Sequence, residues 1–167
     1  MTLSPLGKEL DISGTEGLVY QVPMSGEQNA ANGLRTFFPD LPSEPAPIGY
    51  TWTSHDTIHA AENIDLTIIM ITKNTLAALE TIDGKECVKI TGIVTGTIQG
   101  SGEQAGMNVA LESDMEGTET WYFAYKEGMF VQTAVSIQSE GTIAISGAQN
   151  MTMPMTQESK INVKLVK

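Results

Sequence analysis

Positive charge is scarce in this chain of 167 residues, and cross-linking groups are nearly absent. It holds one arginine, Arg35, and eight lysines scattered without a patch, against 20 acidic residues. Proteins that grip nucleic acid neutralise its phosphates with clustered Lys and Arg. A formal charge of −11 therefore excludes a nucleic-acid partner, and it disfavours attraction to an anionic membrane surface. Cys87 is the only cysteine, so no intramolecular disulfide can form. No apolar run approaches the ~18 residues of a membrane span, so the chain is not expected to be transmembrane. Residues 1–8 lack the charged segment and apolar core of a secretion signal. Charged residues make up only 17% of the chain. Threonine and serine supply much of the polar surface instead, which suits strands.

What is present is alternation. Val131, Thr133, Val135 and Ile137 share a period of two, as do Ile161, Val163 and Leu165. Met107, Val109, Leu111, Ser113 and Met115 repeat it, and so do Ile64, Leu66, Ile68 and Met70. Successive side chains of a strand point to opposite sides, so the pattern predicts a sheet with one dry and one wet face. Turn residues divide residues 50–167 into segments at 50–60, 64–73, 75–82, 86–99, 105–116, 119–126, 129–139, 141–147, 150–157 and 159–166. Asp83-Gly84 is the strongest hairpin signal, and Glu127-Gly128 and the 147–150 stretch are further turns. Short connections favour an antiparallel meander. Several segments exceed the usual five or six residues, and Gly92 and Gly96 mark bends. The expected fold is mainly β: one strongly curved antiparallel sheet, a half-barrel or barrel.

Residues 1–48 differ. A strand at 17–22, a short helix over Gly26–Phe38 covering part of the sheet, and a connector with four prolines between Pro39 and Pro47 are expected before a meander over 49–167. The whole, 1–167, reads as a single domain.

No catalytic or metal constellation emerges. His55 and His59 would share a face of a helix, but their β-branched surroundings predict a strand, where they stand about 13 Å apart. Cys87, beside Lys85 and Lys89, lacks a histidine or second cysteine and reads as a packed thiol. Ser101 lies outside a nucleophile elbow. Asp114, Glu116 and Glu119 around Gly117 read as a solvated hairpin tip and make a poor calcium loop. No cofactor is implied. Methionine is the excess: nine residues. Met151, Met153 and Met155 alternate on a segment that Pro154 marks as an edge strand or bulge. Methionine adapts to irregular apolar partners, so Met107, Leu111, Trp121, Met151, Met153 and Met155 are the expected lining of an apolar groove.

The stretch Phe38-Pro-Asp-Leu-Pro-Ser-Glu-Pro-Ala-Pro-Ile-Gly-Tyr-Thr-Trp-Thr53 resembles a segment of uncharacterised exported proteins and lipoproteins of the Bacteroidetes type. Tyr122–Gly128, Val131-Gln-Thr133 and the tail from Met151 to Leu165 are similar to the closing strands of that group. The resemblance implies a periplasmic or extracellular location, with a signal and lipid-anchoring cysteine on a longer precursor. It also implies a curved sheet like the lipoprotein-carrier half-barrel, whose concave apolar face holds an acyl chain. The expected function is non-enzymatic: binding of a lipid or other hydrophobic molecule. The alternative is an envelope or protein-interaction module with a filled core, engaging a protein partner through a strand edge at 150–157.

Overall fold

A computed structural model of the chain describes residues 2–3, 9–11, 17, 19–22, 26–29, 41–42, 44–61, 65–104, 106–147 and 150–165. Two small antiparallel hairpins come first. Strand β1 (Thr2–Leu3) pairs with β2 (Glu9–Asp11), and β3 (Val19–Val22) pairs with β4 (Gly26–Asn29). The body of the protein is one six-stranded antiparallel sheet. Its strands are β5 (Thr51–Ala61), β6 (Asp65–Ile82), β7 (Lys85–Gln104), β8 (Met107–Ala124), β9 (Met129–Ser146) and β10 (Met151–Lys164). They lie in the order β10-β9-β8-β7-β6-β5, each beside its sequence neighbour. The expected meander is therefore present, and the protein is mainly β.

Three expectations need correction. The helix over Gly26–Phe38 does not begin where the spacing placed it, because Gly26–Asn29 is strand β4; residues 30–40 lie outside the described residues. The expected half-barrel or barrel does not form: β5 and β10 are the two edges, and extensive contact runs only between hydrogen-bonded neighbours, so the sheet is neither closed nor strongly curled. The ten short segments are six long strands. Breaks expected near Asn74, Gly117, Glu140 and Glu158 all fall inside β6, β8, β9 and β10. At ~3.3 Å per residue the 18-residue β8 runs about 60 Å.

Glycines misread as punctuation explain part of that difference. A Cβ on Gly117 would fall on the Ser136 carbonyl oxygen, and one on Gly141 on the Glu112 carbonyl oxygen. Both residues leave room for a neighbouring strand's backbone in mid-strand, so they lie within strands without ending them. Two of the true turns carry left-handed residues that the sequence signals. Asp83 (φ 50°) and Gly84 (φ 79°) both adopt positive φ between β6 and β7, as a two-residue hairpin turn demands. Gly128 (φ 68°) donates its N–H to Ala124 O at 2.8 Å in the β8–β9 turn.

Directly paired residues share a face, so the registers sort every side chain. One face, here the apolar face, carries Trp52, Leu66, Ile68, Met70, Ile90, Val94, Leu111, Met115, Trp121, Val135, Ile137, Ile143 and the β10 methionines. The other, the hydroxyl face, carries rows such as Thr51–Thr75–Thr91–Thr120. Register shifts at Leu76/Ala78 and at Tyr122/Phe123 disturb this order near the Asp83-Gly84 and Glu127-Gly128 turns. The second shift turns Val131 away from Thr133 and Val135 to join Cys87 and Ala124 in a small buried cluster, against which Ile82 and Tyr122 pack. On the apolar face of the same end, Ile90 is 1% and Trp121 2% exposed. Trp121 meets Phe130 edge-on with ring centroids 5.5 Å apart, and Phe123 lies 5.0 Å from the same ring.

Candidate functional site: the methionine corner and a buried polar group

The registers bring together five of the six expected lining residues. Leu111, Ile143 and Met153 stand in one row across β8, β9 and β10; Val109, Ile145 and Met151 form the next. Met155 follows opposite Gly141, and the Met107 side chain lies against Gly147. On β7 the rows continue through Gly100 and Gly102, positions without side chains, to Leu66 on β6. Met107 (39%) and Met151 (49%) are exposed, while Leu111, Met153 and Met155 are half-buried. This corner is apolar, deformable and only partly covered. Trp121 is not part of it. It shares the face but lies ten residues along β8 from Leu111, about 33 Å, inside the aromatic packing of the opposite end.

A second feature escaped the sequence reading. Ser54, Asp56, Thr72, Asn74 and Glu119 are polar yet sit on the apolar face. Asn74 is fully buried; its amide donates to Ser54 Oγ at 3.0 Å, and its carbonyl oxygen has no hydrogen-bond partner. Glu119 bends over Gly92, filling the space a Cβ there would take, a space that the Thr72 methyl group also borders. Burial pushes the Glu119 carboxyl above the ordinary carboxylate range, and the Asp56 charge adds to this. A hydrogen bond from Trp121 opposes the shift. The available signal was parity: each polar residue occurs where the alternation calls for an apolar one. Glu119 is thus no hairpin tip, and Asp114 and Glu116 are mid-strand on the hydroxyl face.

The hydroxyl face carries the other candidates. His55 and His59 lie there, exposed, with His59 Nδ1 3.1 Å from Thr67 Oγ1. A shallow concavity of about 450 Å3 crosses four strands between Asp65, Thr67, Gln99, Ser101, Glu112 and Thr142. Others are bordered by Asp114, Glu116, Gln138, Glu140 and Glu158. Asp114 and Glu140 pair directly, an arrangement that costs stability. Among the described residues no three His, Cys, Asp or Glu side chains converge as metal ligands. Cys87 is buried, its thiol pushed up by that burial, and its Sγ faces Lys85 O at 3.5 Å. No helix among the described residues is long and apolar enough to cross a membrane.

Comparison with known proteins returns no matching family model, no matching curated relative and no matching solved structure.

Proposed function

We propose that this chain is a non-enzymatic binding protein of the bacterial cell envelope that holds a hydrophobic ligand, an acyl chain in particular, on the methionine corner of its open sheet. The supporting observation is the convergence of Leu111, Met151, Met153 and Met155 on adjoining rows, beside β7 positions that carry only hydrogen. Unbranched thioethers repack around an irregular apolar guest at little cost. A ligand lying along the strands would cover side chains that water now reaches, and burial is worth roughly 25 cal/mol per Å2 of apolar surface. Few polar groups are needed for such a site. Placement in the envelope belongs to the same reading and rests on the resemblance of residues 38–53 and of the closing strands to exported proteins.

The test is displacement of a dansyl-labelled fatty acid by palmitate. Low-micromolar binding is expected, weakened at least about tenfold by Met153→Glu, which places a charge where the chain would lie. Absence of binding at high micromolar concentration would refute the reading. So would binding that Met153→Glu and Leu111→Glu leave unchanged.

A further inference from the structure

β10 is an edge whose backbone is turned outward in a legible way. Leu165 N donates to Val131 O at 2.8 Å, just beyond the last residue of the strand. In an antiparallel ladder such inward-bonding residues recur every second position. The odd residues of β10 therefore bond to β9, and the even ones, Thr152 to Lys164, direct their backbone N–H and C=O away from the sheet. Pro154 falls in the even set, which explains why a proline is tolerated mid-strand: it removes an outward donor and no ladder bond. All the even residues are exposed. On the apolar face of the same strand Ile161 and Val163 are each 43% exposed.

We infer that this edge pairs with the β10 of a second copy of the chain, antiparallel about a two-fold axis through Ser159, joining the two six-stranded sheets into one. Charge complementarity and overlap together select the register, since an axis at Ile161, which would set Glu158 against Lys164, overlaps fewer residues and takes Lys164 from its ion pair with Asp83. Glu158 and Lys160 form an ion pair within one strand. With Ser159 opposite its own copy, Glu158 faces Lys160 of the second copy, and the reverse contact follows by symmetry. Shifting the axis to Glu158 or to Lys160 sets like charges against each other, which antiparallel neighbours penalise. The same register matches the apolar face, laying Met155 beside Val163 and Gln157 beside Ile161. Even residues of both strands meet as hydrogen-bonded pairs, as their outward backbone requires. The register is set by backbone and by the Glu158/Lys160 charges and needs no ligand, although Met155 borders both this contact and the proposed ligand corner.

Light scattering on the full chain without ligand is expected to give twice the 17.9 kDa chain mass. Lys160→Glu opposes carboxylates at two symmetric positions and is expected to weaken the dimer roughly tenfold. Glu158→Lys combined with Lys160→Glu restores the pairing and the affinity. Ser159 sits at a non-hydrogen-bonded position, where opposing Cα atoms approach to about 4.5 Å, within disulfide range. Ser159→Cys is therefore expected to cross-link the dimer on mild oxidation, whereas Gln157→Cys does not. A monomer at every concentration overturns the inference. A dimer indifferent to Lys160→Glu, or one cross-linked through Gln157→Cys in preference to Ser159→Cys, overturns it equally.

Discussion

The two ends of this sheet are built from the same alternation and are packed differently. At the end bearing the Asp83-Gly84 and Glu127-Gly128 turns, both faces hold fully buried side chains, although Leu79 near the turn is 62% exposed. Ile90, Trp121 and Asn74 are buried on one side, and Cys87, Ala124 and Val131 on the other. At the end where β7 leads into β8 and β9 into β10, the apolar face is equally greasy yet Met107 and Met151 reach water. Bulges mark the first end only, and by twisting the strands they let side chains of both faces close together. The contrast teaches that hydrophobic patterning fixes which face is apolar, while packing depends on where the strands twist. Full burial is concentrated toward one end, while Met107 and Met151 stay exposed at the other, as the proposed ligand site requires.

Substitutions should divide along that contrast. Trp121→Ala removes the largest fully buried side chain among the described residues and is expected to cost about 3–5 kcal/mol in urea unfolding. Gly141→Val forces a side chain into the Glu112 backbone; about 1–3 kcal/mol or more is expected, because backbone cannot swing aside. Met151→Ala, at the open end, should cost less than about 1 kcal/mol, since little of its surface is withdrawn from water. A Met151→Ala loss as large as that of Trp121→Ala would erase the distinction between the ends.

The smallest effect concerns Glu119. Its folded-state carboxyl titrates above the unfolded one, so the native state binds the extra proton. The associated stability is complete below the ordinary carboxylate range and is lost as pH rises through the raised value. Glu119→Gln is therefore expected to raise the melting temperature near neutral pH and to leave it unchanged at pH 4. An equal shift at both values would remove titration as the cause.

Much of this was legible in the residues. Alternation through Met107–Met115 and Ile64–Met70 identified the apolar face, and Asp83-Gly84 and Glu127-Gly128 located two of its turns by the demand for positive φ. Strand length was not legible. Gly117 and Asn74 look like loop residues, and only the neighbouring strand reveals that one avoids a backbone clash and the other is buried beside Ser54. Closure was illegible for a similar reason, since whether β5 meets β10 depends on twist summed over six strands. Glu119 was misplaced because an acidic residue beside glycine reads as a tip, although its parity already put it on the apolar face.

Amide hydrogen exchange along β8 tests the difference between the ends most directly. Residues 119–124 should exchange at rates near the global unfolding limit, with or without fatty acid. Residues 107–111 should exchange at least about tenfold faster and slow only when fatty acid is added. Uniform protection along the strand, or fatty-acid protection centred on Trp121, would contradict the account.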